Sequence, residues 1–156
     1  MVRLRPMRPA DLDELMPHER DMFGTESWSR ASYEDELADT DLRYYLVAEQ
    51  DGRVVGSAGL LTVGGTAEVL TVGVLPEVRR QGIGERLMAG LLAEARRRAA
   101  SEVLLEVRMD NDSARKLYEK LGFAVIGIRR GYYDLGRVDA LTMRLPLAGG
   151  RDGGAG

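Results

Sequence analysis

The stretch from Thr66 to Ala100 limits the possible folds more than any other part of the sequence. An apolar run at Thr66–Val74 leads through a basic turn with two glycines into a long segment with one apolar face. The apolar side chains of that segment recur mostly at intervals of four: Ile83, Leu87, Leu91 and Ala95, with Met88 and Leu92 beside them. This spacing predicts an amphipathic helix over Gly82–Ala100. A strand that leads into such a helix predicts a mixed α/β fold.

Three apolar runs before that helix are separated by short turns. The runs are Tyr44–Glu49, Arg53–Val63 and Thr66–Val74, and the turns are Asp51-Gly52 and Gly64-Gly65. Asp-Gly or Gly-Gly between two apolar runs is a strong hairpin signal. The three runs are therefore predicted to form an antiparallel meander.

The rest of the chain supplies further strands and helices. Strands are predicted at Val2–Pro6, Glu102–Val107, Phe123–Arg130 and Ala140–Leu147. A first helix is predicted from Pro9, with a break at Pro17. A second is predicted at Arg30–Ala38, after the cap Ser29. A third is predicted from Asn111 or Asp112 to Leu121, where Gly122 ends it. The element order is β-α-α-β-β-β-α-β-α-β-β. It predicts a single domain over residues 1–148 and a disordered Gly-rich tail at 149–156.

The composition excludes several kinds of functional site. The chain has no Cys and a single histidine, His18, so thiolate metal sites, Cys nucleophiles and His-cluster metal sites are excluded, and no metal is predicted. The net charge of −3 argues against a general nucleic-acid partner. No run approaches the ~20 apolar residues of a membrane span, which favours a cytoplasmic protein without a membrane partner.

The basic turn before the long helix has the features of an anion site. Backbone N–H groups of a first helical turn point outwards, and glycine lets a phosphate approach the main chain closely. No Gly-Lys-Ser/Thr follows the glycines, so the turn is not a P-loop, and Leu87 stands where a dinucleotide fingerprint needs a small residue. The sequence from Arg79 to Gly84 resembles the Arg/Gln-x-x-Gly-x-Gly/Ala pyrophosphate loop of the GNAT family of acetyl-CoA N-acetyltransferases.

A second motif strengthens this resemblance. The run Leu104-Leu105-Glu106-Val107-Arg108, followed by Asn111, Ala114, Tyr118 and Leu121-Gly122-Phe123, looks like the C-terminal half of GNAT enzymes. The chain is similar to the RimI type, which acetylates the terminal alanine of a small-subunit ribosomal protein. This similarity rests on the Leu-Glu-Val-Arg strand and on further runs along the chain: Glu19–Phe23, Trp28-Ser29, Lys116–Phe123, Arg129-Arg130-Gly131-Tyr132-Tyr133 and Asp139-Ala140-Leu141.

The resemblance implies a fold, a reaction and a set of site residues. The fold is a mixed, mostly antiparallel sheet flanked by helices, and the reaction is N-alpha-acetylation of a protein with acetyl-CoA as co-substrate. Glu106 is the implied base and Tyr118 the implied acid. The implied coenzyme-binding residues are Val74, Leu75, Arg79, Arg80, Gln81, Gly82, Ile83, Gly84 and Asn111. Trp28, Tyr132 and Tyr133 are expected to wall the acceptor slot.

Several of these residues have a second interpretation. Glu106 lies opposite the apolar face of its strand, where it would act as a base through water or pair with an arginine. Tyr118 shares its helical stripe with apolar residues and would also suit the core. Asn111 would hold the pantetheine arm or only cap a helix. Glu68, expected on the face opposite Thr71 and Gly73, is a spare candidate base. Gly73 is expected to mark a bulge or a close approach.

Other functions stay open at this point. A GNAT enzyme for a small amine, such as an aminoglycoside, a polyamine or an amino acid, would share every coenzyme motif. A non-catalytic acetyl-CoA sensor would keep the fold without turnover, and a nucleic-acid module has no recognition motif to support it. We expect a monomer or a weak dimer. With no Cys, we expect direct attack of a neutral amine on the thioester in a ternary complex.

Overall fold

The computed structural model describes residues 1–24 and 27–147. Its strands are β1 Val2–Pro6, β2 Arg43–Gln50, β3 Arg53–Val63, β4 Thr66–Val74, β5 Glu102–Arg108, β6 Ala124–Tyr133 and β7 Val138–Pro146. Its α-helices are α1 Leu12–Leu15, α2 Glu19–Phe23, α3 Arg30–Ala38, α4 Ile83–Arg97 and α5 Asp112–Lys120. Short 3-10 turns lie at Pro9–Asp11, Met16–His18, Pro76–Val78 and Asp134–Gly136.

The strands within the described residues form one sheet in the order β1-β2-β3-β4-β5-β7-β6. Every neighbouring pair is antiparallel except β4 and β5. The predicted element order, the antiparallel meander of β2 to β4 and the mixed sheet are therefore confirmed. The predicted tail at 149–156 lies outside the described residues, and the single-domain boundary at residue 148 stays a prediction.

Helix α4 packs its apolar stripe on the central strands of the sheet. Ile83, Leu87 and Leu91 on this stripe are almost fully buried. Burial of a side chain of this size contributes roughly 1.5–3 kcal/mol, so the stripe is a large part of the core. At Gly90 a Cβ would lie 2.7 Å from Leu46 of β2, which shows how closely the helix backbone approaches the sheet.

Several element ends differ from the prediction, and the largest differences are at the ends of α4 and β6. Helix α4 ends at Arg97 rather than Ala100, because Ala99 takes a left-handed φ of 62° and the Ala100 N–H turns back to the Ala95 carbonyl. Strand β6 continues three residues past its predicted end at Arg130, to Tyr133. The break at Pro17 and the cap at Ser29 occur as predicted.

The sheet opens where its parallel pair ends. Strands β4 and β5 pair only between Thr66–Glu68 and Glu102–Leu104. Beyond these residues the two strands separate, and a cleft forms between them. None of the helices in residues 1–24 and 27–147 is long and apolar enough to cross a membrane.

Candidate active site

The cleft between β4 and β5 contains two adjoining cavities. The first has a volume of about 520 Å³ and lies at the start of α4. The second, about 410 Å³, lies between β4, β5 and the end of β6. Four residues line both cavities: Val72, Asn111, Ala114 and Tyr118. An elongated ligand can therefore extend from the helix terminus into the second cavity.

The first cavity is built around the N-terminus of α4. Gly82 caps the helix with a left-handed φ of 80°, and Arg80 before it also has a positive φ of 66°. The N–H of Arg86 donates to the Gly82 carbonyl, so the N–H groups of the first turn have no partner within the helix. Gly82, Ile83 and Gly84 line the cavity. This terminus supplies backbone donors and the positive end of a helix dipole to an anion.

Three of the residues predicted to bind the coenzyme have other contacts. The Arg79 guanidinium lines the first cavity but donates to the carbonyls of Val74 and Asp21, both at 3.1 Å, and so ties the loop to β4 and α2. Leu75 is buried in the core. Gln81 accepts a hydrogen bond from the side chain of Gln50. The side chains of Leu75 and Gln81 line neither cavity.

Glu106 combines both of its sequence interpretations. Its side chain is 15% exposed and lines the second cavity. Oε1 accepts a hydrogen bond from Arg129 Nη1 at 2.9 Å, and Oε2 accepts one from Thr142 Oγ1 at 2.5 Å. The alternation of β5 places it opposite buried neighbours, as expected. The carboxylate is thus oriented by two contacts and still faces the cleft.

Tyr118 is also both a packed residue and a cleft residue. Its ring meets Phe123 edge-on with centroids 6.0 Å apart, and the residue is 9% exposed. Burial raises the pKa of Tyr118 to about 12. The same side chain lines both cavities, so its ring lies where the two cavities meet. A phenol with this pKa is a hydrogen-bond donor throughout the neutral range.

Asn111 caps a helix, which is one of the two roles expected for it. Its Oδ1 accepts the Ala114 N–H at 3.1 Å, which caps α5. Asn111 also lines both cavities. Because capping uses only the carbonyl oxygen, the amide NH₂ is the part of this side chain suited to a ligand.

The expected position of Glu68 is wrong, because β4 contains a bulge. Thr71 pairs with Gly59, but the next pair along is Val69 with Leu60, so Leu70 is an extra residue. The extra residue reverses the alternation and puts Glu68 on the same face as Thr71. Glu68 and Thr71 consequently both line the second cavity.

Gly73 marks a close approach rather than the bulge itself. A Cβ at this position would lie 2.4 Å from the ring of Phe23 at the end of α2. Phe23, which was not predicted as a site residue, also lines the second cavity. The glycine in an otherwise apolar strand was the signal that a large side chain lies against it.

The three aromatic residues predicted to wall an acceptor slot all line the second cavity: Trp28, Tyr132 and Tyr133. Trp28 packs against Tyr33, with ring centroids 5.2 Å apart. Tyr132 and Tyr133 meet edge-on at 4.9 Å, and Arg129 lies 4.4 Å from the Tyr132 centroid. The structure therefore brings these aromatics together with Glu106 and Tyr118. Within the described ranges no cluster of His, Asp and Glu is placed to hold a metal ion.

Comparison with known proteins adds a family and several relatives. Residues 12–123 match the acetyltransferase (GNAT) family. The N-alpha-acetyltransferase RimI of Mycobacterium tuberculosis is 39% identical over 148 residues, which are 92% of this chain and 91% of that protein. The [ribosomal protein bS18]-alanine N-acetyltransferase of Escherichia coli K12 is 35% identical over 123 residues, 78% of this chain and 82% of that protein.

A solved structure agrees with these sequence matches. The crystal structure of the ribosomal-protein-S18-alanine N-acetyltransferase from Escherichia coli superposes with a TM-score of 0.87 at 29% identity. The match covers 97% of both chains.

Proposed function

Because the chain belongs to the GNAT family of acetyltransferases, we propose that it moves the acetyl group of acetyl-CoA to the N-terminal amine of a protein. The observation that carries this proposal is the continuous cleft, in which an anion-binding helix terminus at one end leads to Glu106, Tyr118 and three aromatic residues at the other. The names of the relatives support a ribosomal protein with an N-terminal alanine as the acceptor. An acceptor of that kind would place the enzyme in the cytoplasm.

The first cavity fits the phosphate-bearing end of acetyl-CoA. The pyrophosphate would accept hydrogen bonds from the first-turn N–H groups at Ile83 and Gly84, beside Arg80. The pantetheine arm would lie against Val72 and the amide of Asn111, toward the point where the cavities meet. The thioester then reaches Tyr118.

The proposed reaction is direct attack in a ternary complex. The neutral amine nitrogen of the acceptor bonds to the thioester carbonyl carbon, the C–S bond breaks, and the electron pair leaves on sulfur. Glu106, acting through water, takes a proton from the amine. Tyr118 donates a hydrogen bond to the departing thiolate. The proton taken from the amine leaves Glu106 through water to solvent, where it can protonate the released thiolate, so one amide and one coenzyme A thiol are formed. Because the chain has no Cys, no thiol on the enzyme carries the acetyl group.

The chemistry of the acceptor favours an N-terminus over a lysine side chain. An α-amino group has a pKa of about 7.7–8.0, so roughly a tenth to a fifth is neutral near pH 7. A lysine with a pKa near 10.4 is neutral in well under a tenth of a percent of molecules at that pH. Modest help from one carboxylate is therefore sufficient for an α-amine. The residues that follow this amine in the acceptor would contact the flat apolar surfaces of three aromatic side chains: Trp28, Tyr132 and Tyr133.

A panel of acceptors tests the proposal. We expect release of free thiol from acetyl-CoA with peptides that begin with Ala or Ser, and at least tenfold less with the same peptides carrying a blocked N-terminus. This expectation follows from the need for a neutral amine. The assay measures thiol release by the purified protein at fixed acetyl-CoA and varied acceptor.

Other results from the same panel of acceptors would contradict the proposed function. A peptide with a lysine side chain but a blocked N-terminus, and an aminoglycoside, serve as competing acceptors. If only the small amine reacts, the coenzyme site stands and the peptide assignment fails. If acetyl-CoA binds and no acceptor reacts, the protein is a sensor instead of an enzyme for these acceptors.

Substitution at the helix cap tests the coenzyme site. Gly82→Asp should raise the Kd for acetyl-CoA about tenfold or more, because it places a carboxylate beside the pyrophosphate and a side chain at a left-handed φ of 80°. We expect kcat at saturating coenzyme to change by less than about twofold. Calorimetric titration of acetyl-CoA measures the first quantity, and thiol release the second.

Gly64→Asp is the matched control for backbone strain. Gly64 has a left-handed φ of 61° and, like Gly82, no atom within 4 Å of an added Cβ. It lies in the turn before β4, at the other end of that strand from Gly82. Both variants should lose comparable thermal stability, but only Gly82→Asp should lose coenzyme affinity. Equal loss of affinity in the two variants would contradict a pyrophosphate site at α4.

A further inference from the structure

Glu19 is a buried acidic residue that the proposed reaction does not use. It is 3% exposed at the start of α2. Its carboxylate accepts the backbone N–H of Trp28 at 2.8 Å and the hydroxyl of Tyr33 at 2.9 Å. Tyr33 is fully buried and packs between Trp28 and Tyr45. One carboxylate therefore connects α2, α3 and Trp28, which lies just before α3.

This carboxylate is costly to the fold. Burial raises the pKa of Glu19, although both hydrogen bonds favour the ionised form. A raised pKa means that the folded state binds a proton more tightly than the unfolded state, so stability falls as the pH rises through the folded pKa and stays lowered above it. The residue is not explained by stability alone.

The groups that Glu19 holds line the second cavity. Trp28, whose backbone N–H donates to Glu19, forms part of the cavity wall. Phe23, which lies four residues after Glu19 on α2, also lines the cavity. Phe23 lies against Gly73, and Trp28 lies against Tyr33. The wall of the second cavity on the side of α2 and α3 thus depends on one buried anchor. Trp28 and Tyr33, the two residues that Glu19 holds, do not line the first cavity, to which α2 contributes Met22.

We infer that Glu19 is a positioning residue for the acceptor, which fixes Trp28 and the α2 side of the cavity in the geometry that receives the acceptor's first residues. The inference rests on the proposed function, because it assigns the second cavity to the acceptor. It assigns Glu19 no contact with substrate. Its effect is transmitted through the Trp28 backbone and the Tyr33 hydroxyl.

The test replaces the carboxylate by its neutral isostere. Glu19→Gln should raise KM for an N-terminal Ala peptide about tenfold, while kcat and KM for acetyl-CoA change by less than about twofold. Its melting temperature at pH 8 is measured in parallel. Tyr33→Phe, which removes one of the two donors, should raise the peptide KM by a smaller factor.

Glu34→Gln is the matched control on α3. Its carboxylate is 57% exposed and pairs with Arg30 on the surface, so every parameter should stay at the wild-type value. A lower melting temperature for Glu19→Gln with an unchanged peptide KM would overturn the inference in favour of a purely structural role. Equal changes in the two KM values would overturn it as well.

A second readout separates this inference from the proposed function. Trp28 is the single tryptophan of the chain, so intrinsic fluorescence reports on it alone. Acrylamide quenching should increase in Glu19→Gln and stay unchanged in Glu34→Gln. If the wild type acetylates no peptide, the proposed function fails, and quenching still decides whether Glu19 positions Trp28. Identical quenching in the wild type and Glu19→Gln would overturn the inference whatever the acceptor is.

Discussion

Glu106→Gln is expected to lower kcat about 10²- to 10³-fold, while KM for acetyl-CoA changes by less than about twofold. General base catalysis contributes a factor of this size, and an amide cannot take the proton from the amine. The amide keeps the shape of the side chain and can still accept a hydrogen bond at Oε1. Steady-state thiol release with an N-terminal Ala peptide, with both substrates varied, measures the three parameters.

The chain contains a matched control on the same strand. Glu102 lies four residues before Glu106 and accepts hydrogen bonds from one arginine and one threonine, Arg144 at 2.6 Å and Thr66 at 2.8 Å. Glu106 has the same kinds of partner, but Glu102 lines neither cavity. Glu102→Gln should therefore lose similar ion-pair energy and keep full turnover. Comparable losses of kcat in both variants would show that the ion pair matters and the base does not.

Glu68→Gln decides between the two carboxylates of the second cavity. Glu68 reaches the cavity from β4 because of the bulge at Leu70, and Glu106 reaches it from β5. If Glu106 is the base, Glu68→Gln should retain kcat within a few-fold. A large loss in Glu68→Gln together with an active Glu106→Gln would move the base to the other strand.

The bulge in β4 also shows where sequence reasoning stops. Turns and caps depend on neighbouring residues, so Gly64-Gly65, the Ser29 cap and the Gly122 stop could be predicted from local patterns. A bulge depends on how β4 pairs with β3, which the apolar pattern of one strand does not specify. The prediction for Glu68 followed strict alternation, and a single extra residue reversed it.

The candidate site was predictable to the extent that its residues lie in recognisable motifs. Glu106, Tyr118 and the glycines of the α4 terminus line the cleft as expected. The sequence indicated an arginine partner for Glu106 but not which one, and it did not indicate Thr142, because Arg129 and Thr142 lie on strands 23 and 36 residues away in sequence.

Glu19 begins a run, Glu19–Phe23, that carries part of the resemblance to the RimI type, but the resemblance gave this residue no role. It stands four residues after Leu15 and four before Phe23, on the apolar stripe of the first helical segment. A charged residue on such a stripe is costly to bury without a partner. The pattern marked Glu19 as unusual, but only the folded chain identifies the Trp28 amide and the Tyr33 hydroxyl as its partners.

Tyr118→Phe is expected to lower kcat about 10²-fold with the Kd for acetyl-CoA kept within about twofold. The ring and its contact with Phe123 survive, and only the hydroxyl that would donate to the thiolate is lost. Removal of one hydrogen-bond donor to a developing anion typically lowers kcat by a factor of this order. Thiol release and coenzyme titration of the same preparation measure the two quantities.

The pKa of Tyr118 determines what kind of help the hydroxyl gives. Burial raises it to about 12, whereas a free thiol has a pKa of about 8.5, so complete proton transfer to the thiolate is uphill by more than three pH units. Tyr118 should therefore act as a hydrogen-bond donor. We expect kcat to have the same pH dependence between pH 7 and about pH 10 in the wild type and in Tyr118→Phe, with no fall that depends on the hydroxyl. Tyr44→Phe, which removes a hydroxyl of β2 outside both cavities, is the control and should leave kcat unchanged. A basic limb in this range that disappears with the hydroxyl would instead identify Tyr118 as a true acid.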